Sequence, residues 1–261
     1  MRSGTNRSND MRFVLIHGGF HGAWCWTHLL PELERLGCEA LAIDLPGHGE
    51  RRSEPSTLEN RRDAIVEVLE SGDILVGHSG GGFDITLAAN AVPDRVGHLI
   101  YLAAGLPIEG EPLVRATGGA TDTGKVDRLN ETIPTTTLRQ TDDGRLAWTD
   151  RDAAAALFYH DCPSEMIDWA FARFSPAPPG ILLDPVTLPN FWAAELPRSY
   201  VLCLRDRALP FATAMKFAGR LGVVPHFIDS SHSPFFSRPR ELAAILIAAA
   251  TEQPIAALKP T

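Results

Sequence analysis

Six short apolar runs recur along the chain, and each ends at glycine or other turn-forming residues. Runs of this kind are typical of strands that are buried on both faces of a parallel sheet. The predicted strands cover residues 11–17, 39–43, 73–77, 96–103, 199–204 and 223–228.

Between these runs, apolar residues recur at helical spacing. The predicted helices cover residues 24–36, 58–69, 83–91, 211–221 and 239–251. Because strands and helices alternate, the pattern predicts an α/β fold: a mostly parallel, doubly wound sheet of about six strands with right-handed connections.

The alternation is interrupted between residues 106 and 197. Loop-like stretches occur at residues 118–124, 135–137 and 175–180, and two helical candidates rich in aromatic residues lie at 152–159 and 164–174. We therefore predict a disordered N-terminus at 1–10, a core formed by 11–105 and 198–261, and a helical lid (cap) inserted at 106–197. The sequence contains no internal repeat.

A serine flanked by glycines follows the third predicted strand. Residues 77–81 (GHSGG) fit the pattern Gly-x-Ser-x-Gly, which in a strand–turn–helix context lifts a serine hydroxyl clear of the sheet. Such a turn strains the serine backbone, and a side chain at either flanking glycine would collide with the neighbouring strand or helix. We predict Ser79 as a nucleophile; the alternative is a glycine-rich turn with an idle serine.

A serine hydroxyl needs a base to take its proton. In a fold of this kind an acid and then a histidine follow the serine, on loops after later strands. Asp206 follows the predicted strand at 199–204, and His232 follows the one at 223–228, so both fall at the sheet edge where Ser79 emerges. We predict Asp206 as the acid and His232 as the base. Asp229 and Asp184 stay open as alternative acids, and Asp206 could simply cap its loop.

Acyl transfer also needs N–H groups aimed at the developing oxyanion. The amide of Gly80 follows the nucleophile and lies at a helix N-terminus, whose dipole favours negative charge. The second donor should come from the loop after the first strand, where Gly19 lets the backbone approach a substrate. We predict an oxyanion hole formed by Gly19 and Gly80, although these glycines could also only make a tight turn.

Charge and composition limit the partners. The net charge is −8 over 261 residues and no basic stripe is present, which argues against nucleic-acid binding. The four cysteines lack the spacing of a metal site, so we expect buried thiols and no metal. Residues 1–10 are polar, and the apolar run at 242–250 is too short to span a bilayer. We expect a cytoplasmic protein with no membrane partner; a homodimer is possible.

With these residues in view, the sequence resembles the small-lid group of α/β-hydrolases that contains plant methyl-ester esterases and hydroxynitrile lyases. The resemblance is densest at residues 13–26 (FVLIHGGFHGAWCW), 44–49 (DLPGHG), 77–82 (GHSGGG), 206–210 (DRALP) and 231–234 (SHSP). In the lid, residues 158–163 (FYHDCP) look like a segment of bacterial relatives, and the rest is only loosely similar.

The resemblance implies the same roles: Ser79 as nucleophile, His232 as base, Asp206 as acid, and Gly19 and Gly80 as amide donors. It also favours an esterase over a lyase. The lyases have a threonine at the position of Gly18 and a lysine at that of Ser233. Gly80 occupies a position where relatives usually have Leu or Met, so the size of the substrate cannot be transferred from the family.

The function that follows is a cofactor-free serine hydrolase that cleaves a small-molecule carboxylic ester through an acyl-enzyme. Aromatic residues near the site loops and in the lid predict a small apolar or aromatic ester. The predicted substrate-binding residues are Phe20, His21, Phe158 and Phe235. Equally, the lid aromatics could form the core of the lid. An amidase or lactonase with the same triad, a cofactor-free oxygenase or perhydrolase, a lyase-like enzyme and a weakly active ligand sensor are the alternatives.

Overall fold

A computed structural model describes residues 11–116, 137–178, 181 and 183–251. The predicted disordered segment at 1–10 lies outside the described residues, as do the loop-like stretch at 118–124 and parts of those at 135–137 and 175–180.

Eight strands are present in the described parts of the chain, and six of them form one parallel sheet in the order β2-β1-β3-β4-β7-β8. The strands are β1 (Arg12–Ile16), β2 (Glu39–Ile43), β3 (Asp73–His78), β4 (Val96–Leu102), β5 (Leu138–Gln140), β6 (Leu146–Trp148), β7 (Arg198–Cys203) and β8 (His226–Ile228). All six predicted strands lie in this sheet, which confirms the predicted architecture.

Helices follow most of the strands. They are α1 (Leu30–Arg35), α2 (Leu58–Val68), α3 (Gly81–Ala91), α4 (Leu113–Ala116), α5 (Arg151–Phe158), α6 (Ser164–Phe171), α7 (Pro189–Ala193), α8 (Phe211–Leu221), α9 (Pro234–Ser237) and α10 (Pro239–Ala249). Short 3₁₀ helices cover Ala23–Trp26, Gly49–Arg51 and Pro93–Arg95.

Two predicted elements are shorter than expected, and proline accounts for both. The helix predicted at 24–36 is divided into the 3₁₀ helix Ala23–Trp26 and α1, because Pro31 lacks an N–H and its ring clashes with a preceding carbonyl inside a helix. The strand predicted at 223–228 begins only at His226, because Pro225 cannot donate to the ladder.

Side chains alternate between the two faces of the sheet, as the two-residue period of a strand requires. In β1, Phe13 and Leu15 enter one apolar cluster while Val14 and Ile16 enter the other. The first cluster is closed by α1 and α10 and the second by α2, α3 and α8. Because the six strands are parallel, their carboxyl ends meet at one edge of the sheet, and this edge bears the predicted site.

The inserted residues between β4 and β7 include elements that the sequence pattern did not predict. A two-stranded antiparallel hairpin, β5–β6, precedes α5, and the short helices α4 and α7 lie nearer the two ends of the insertion. The predicted helices at 152–159 and 164–174 correspond to α5 and α6.

Candidate active site

Ser79 lies on a sharp turn between β3 and α3. Its φ is 53°, in the left-handed region that non-glycine residues rarely adopt. The Ser79 N–H donates to the Leu102 carbonyl at 3.1 Å, and the Ser79 carbonyl accepts from the N–H groups of Gly82 and Gly105 at 3.2 and 3.0 Å. These hydrogen bonds on both sides hold the strained residue in place.

The flanking glycines are required by close backbone approach. A Cβ atom at Gly77 would lie 2.6 Å from the Gly81 carbonyl oxygen in α3, and one at Gly81 would lie 2.7 Å from the Ile16 carbonyl oxygen in β1. Both distances are well below van der Waals contact, so the packing of the turn against the sheet depends on these glycines, as predicted.

Asp206 and His232 meet at the same edge. His232 Nδ1 donates to Asp206 Oδ2 at 2.7 Å, and the two side chains are only 2% and 3% exposed. The other carboxylate oxygen of Asp206 accepts from the backbone N–H groups of Ala208 and Leu209 at 2.8 and 2.9 Å. Asp206 therefore caps its own loop and binds the imidazole at the same time.

The alternative acids lie elsewhere. Asp229 forms an ion pair with Arg205 at 2.7 Å and its side chain is 68% exposed. Asp184 is also exposed. Among the described carboxylates, Asp206 is the one bonded to His232.

His78 links the serine turn to the histidine loop. The His78 Nε2–H donates to the His232 carbonyl at 2.9 Å, and the centroids of the two rings are 4.6 Å apart. Burial lowers the pKa of His78 well below its usual value, so its ring is neutral. Among the described residues there is no hydrogen bond between Ser79 Oγ and His232, and such bonds are often long before substrate binds.

Gly19 and Gly80 bring two backbone amides together beside Ser79. Outside its own neighbours in the chain, a Cβ built on Gly80 would meet only the Gly19 nitrogen, at 3.6 Å, and one built on Gly19 would meet nothing within 4 Å. Gly80 immediately precedes the first residue of α3, so its amide lies at the positive end of that helix. The Gly19 nitrogen therefore lies close to Gly80, and the space at both glycines is open; their role as oxyanion donors stays a prediction.

Gly18 has no such room. A Cβ atom there would lie 2.8 Å from Ser79 Cβ and 3.0 Å from His78 Nδ1. The Gly18 carbonyl accepts from His17 Nδ1 at 2.8 Å, and the Leu45 N–H donates to His17 Nε2 at 3.1 Å. Burial lowers the pKa of His17 to about 4, so a neutral ring with its proton on Nδ1 satisfies both bonds.

Two of the four predicted substrate-binding residues lie beside the site. Phe20 has a left-handed φ of 66° and is partly exposed, with its ring packed against those of Trp148 and Phe174. The Phe158 ring lies 5.7 Å from that of His232.

The other two are more deeply buried. Phe235 is completely buried against Trp26 and His78. His21 is 1% exposed, and both of its ring nitrogens have protein partners, Gly19 and Tyr159. Substrate contact by any of the four residues stays a prediction.

A four-residue segment at the end of α5, residues 158–161 (FYHD), bonds to loops around the site, and the sequence pattern gave no role to its polar residues. Tyr159 bonds to His21, His160 Nε2 donates to the Arg205 carbonyl at 2.8 Å, and Asp161 accepts from the Ser231 N–H at 2.9 Å. Ser231 Oγ donates to the Phe158 carbonyl at 3.0 Å. The similarity of this segment to bacterial relatives is the feature of the sequence that could have indicated a role for these polar residues.

The described residues contain no cluster of His, Cys, Asp or Glu suited to a metal ion. In the same parts of the chain, no helix has the length and apolar character that crossing a membrane requires.

The fold and this arrangement of residues define the class of the protein. Residues 13–245 match the alpha/beta hydrolase family, and the chain belongs to that family. The predicted fold and family are confirmed.

Relatives of known identity are similar over nearly the whole chain. Methylesterase 7 of Arabidopsis thaliana is 28% identical over 264 residues, covering 93% of this chain and 97% of the relative. Polyneuridine aldehyde esterase of Rauvolfia serpentina is 24% identical, covering 95% and 98%. A pyrethroid hydrolase from Sphingobium faniae superimposes with a TM-score of 0.76 at 25% identity, covering 92% of this chain and 97% of that structure. The comparisons bear out a serine ester hydrolase and do not favour the lyase alternative.

Proposed function

We propose that the protein hydrolyses a small apolar or aromatic carboxylic ester, with Ser79 as nucleophile, His232 as general base and Asp206 as its partner. The observation that carries the proposal is the buried hydrogen bond between Asp206 and His232 beside the strained turn of Ser79. The esterases and hydrolases among the similar proteins support the same reaction class.

The chemistry follows from the positions of these groups. As Ser79 Oγ attacks the ester carbonyl, His232 Nε2 takes the hydroxyl proton, which requires the two side chains to come into contact in the reacting complex. The alcohol leaves with that proton, and a water molecule then attacks the acyl-enzyme with His232 again as base. Asp206 holds the proton of His232 on Nδ1 and stabilises the imidazolium.

The oxyanion of each tetrahedral intermediate would lie between the amides of Gly19 and Gly80. Their proximity and the open space beside them support this role. Donors that are fixed in place before the reaction stabilise the developing charge by several kcal/mol in a water-poor site. No metal or organic cofactor is needed for these steps.

The substrate class is inferred from the surroundings. Phe20, Phe158, Trp148 and Phe174 form an aromatic group next to the imidazole, which favours an apolar or aromatic portion of the ester. With glycine at positions 19 and 80, no side chain narrows the space at the oxyanion donors.

Residues 106–197 would then act as the cap over this site. The contacts of residues 158–161 with loops around the site support this division. A cytoplasmic location is consistent with the four cysteines, which are all free, because disulfides are rare in reducing compartments. Homodimer formation stays a prediction.

Ser79→Ala tests the proposal. We expect kcat to fall about 10⁴–10⁶-fold with the fold intact, measured with p-nitrophenyl and methyl aryl esters and with amides and lactones in the same panel. The exposed Ser71→Ala is the matched control and should keep wild-type rates. Full activity in Ser79→Ala would exclude the serine mechanism, and turnover of amides or lactones alone would exclude an esterase.

A further inference from the structure

A buried hydrogen-bonded chain joins the inserted segment to the loop that bears Gly19. The Tyr159 hydroxyl lies within hydrogen-bonding distance of His21 Nε2, and His21 Nδ1 lies 2.7 Å from the Gly19 carbonyl oxygen. A carbonyl can only accept, so Nδ1 carries the proton and the neutral ring accepts the Tyr159 proton at Nε2. The direction of every bond in the chain is thereby fixed.

The peptide groups on both sides of Gly19 are held by side chains. His17 binds the Gly18 carbonyl and His21 binds the Gly19 carbonyl. In a trans peptide the C=O and N–H groups point in opposite directions, so a fixed Gly18 carbonyl also directs the Gly19 N–H. Glycine would otherwise rotate freely about its backbone bonds, and these two contacts remove that freedom.

The inserted segment holds this loop at a second point. The Ser175 N–H donates to the Phe20 carbonyl at 2.8 Å, and Ser175 Oγ accepts from the Gly49 N–H at 3.1 Å. Phe20 itself has the strained φ of 66°. Two separate parts of the insertion therefore brace consecutive residues of the loop.

Tyr159 is itself rigidly placed. Its N–H donates to the Ala155 carbonyl at the end of α5, and its neighbours His160 and Asp161 bond to the loops that carry Asp206 and His232. The tyrosine hydroxyl is thus fixed relative to the whole site and not only to His21.

The chain lies in an apolar, aromatic environment. His21 and Tyr159 are each 1% exposed, and the rings of Trp24, Phe158 and Phe174 surround the imidazole. Burial lowers the pKa of His21 to about 3 and raises that of Tyr159 well above its ordinary value. Both groups stay neutral at physiological pH, and their hydrogen bonds are stronger in a medium of low dielectric constant.

We propose that Tyr159 and His21 are positioning residues: they fix the peptide group between Gly19 and Phe20, and together with the His17 bond to the Gly18 carbonyl this holds the Gly19 N–H in the orientation that stabilises the oxyanion. The inference rests on the proposed ester hydrolysis. Neither residue touches the reacting atoms; the tyrosine hydroxyl fixes the imidazole, and the imidazole fixes the peptide group after Gly19. Because the oxyanion exists only in the transition state and intermediates, their loss should lower kcat and leave KM unchanged.

Tyr159→Phe removes one hydroxyl from this chain. Removal of a whole oxyanion donor typically costs about 10²–10³-fold in kcat, so a loosened donor should cost about tenfold, with KM within about twofold of wild type. Tyr101→Phe is the matched control, because the Tyr101 hydroxyl is equally buried and bonds to Thr86 Oγ1 at 2.7 Å. Equal kcat losses in the two variants, or a wild-type kcat in Tyr159→Phe, would overturn the proposal.

A double-mutant cycle separates positioning from general stability. In His21→Asn the side-chain amide can still donate to the Gly19 carbonyl, but the partner of Tyr159 is lost. If Tyr159 acts through His21, adding Tyr159→Phe to His21→Asn should change kcat less than about twofold. Another tenfold loss in the double variant would show that the tyrosine acts independently.

The rate of Ser79 labelling by a fluorophosphonate provides a readout that needs no ester substrate. The Ser79 Oγ–phosphorus bond forms, the serine proton passes to His232 and fluoride leaves, with the phosphoryl oxygen between the two amides. Tyr159→Phe should slow labelling about tenfold and Tyr101→Phe should not. If the wild type is labelled but cleaves no ester, the proposed function fails, and the labelling rates of Tyr159→Phe and Tyr101→Phe relative to the wild type still decide the inference. A wild type that is not labelled overturns both.

Discussion

Within the part of the insertion between β4 and β7 that the structure describes, two regions attach to the core in different ways. The outer region, residues 106–116 and 183–197, buries apolar side chains in the same cluster as α2, α3 and α8. The middle region, residues 137–178, contributes to the cluster on the opposite face, and its polar atoms bond to loops around the site. The outer region packs against the core, and the middle region also bonds to the loops around the site.

This difference separates two kinds of mutational effect. Loss of an outer apolar side chain should lower the free energy of unfolding and leave the folded enzyme as active as before. Loss of a polar contact in the middle region should lower kcat at a smaller cost in stability. Changes to the residues of the site itself should lower kcat more than either kind of change in the insertion.

Asp206→Asn should have a larger effect than any change in the insertion, because the imidazole of His232 would adopt the wrong tautomer. We expect kcat to fall about 10³–10⁴-fold, which corresponds to about 4–5.5 kcal/mol of transition-state stabilisation, measured on any accepted ester. Asp229→Asn, which alters the exposed partner of Arg205, is the control and should stay near wild type. If Asp229→Asn loses most of its kcat while Asp206→Asn keeps it, Asp229 is the acid and the assignment of Asp206 is wrong.

Phe191→Ala should show the character of the outer region. The ring is completely buried beside Trp192, so its loss should lower the free energy of unfolding by about 3–5 kcal/mol, measured by urea denaturation. The kcat per fluorophosphonate-titrated site should stay within about twofold of wild type. A large fall in that normalised kcat would remove the distinction between the two regions.

Asp161→Ala should show the character of the middle region. It leaves the Ser231 N–H, next to His232, without its acceptor, and a buried unpaired donor costs about 1–3 kcal/mol. We expect kcat to fall about tenfold. Asp161→Asn retains an acceptor oxygen and should recover most of the rate; if it behaves like the alanine variant, the charge near Arg205 matters and the hydrogen bond does not.

The smallest expected effect concerns pH. The pKa of His21 is about 3 in the folded protein because of burial, so as pH falls below about 6.5 only the unfolded chain takes up the proton and stability decreases. Between pH 6 and 5 this one group should remove about 1 kcal/mol, continuing until the pH approaches 3. In His21→Asn, urea denaturation at the two pH values should show a loss smaller by about that amount; an unchanged loss would contradict a buried neutral His21.

Much of the core could be predicted because its signals are local. A strand such as β3 is buried on both faces, so its apolar run is continuous, and the glycines around Ser79 are adjacent in sequence. The order serine, acid, histidine then placed Asp206 and His232 by topology alone. The hydrogen bond between them agrees with that prediction, while their catalytic roles await the variants above.

The missed features lack a local signal. The hairpin β5–β6 has few buried positions, so its strands show no clear alternation of apolar and polar residues. Tyr159 and His21 are 138 residues apart, and no periodic pattern records that an imidazole and a phenol will meet. The prediction of one helix over residues 24–36 was wrong because it followed the apolar spacing and did not take account of the proline at position 31.

The crowding at Gly18 restricts how this scaffold can diversify. Any substitution there that adds a β-carbon must displace either the nucleophile or the ring beside it, since both lie within 3.0 Å of where that carbon would stand. An evolutionary or laboratory route that introduces a hydroxyl-bearing residue at this position therefore has to begin with a shift of the 17–21 loop. Changes to the contacts that hold this loop, such as those of Tyr159 and Ser175, would come before a change in the chemistry.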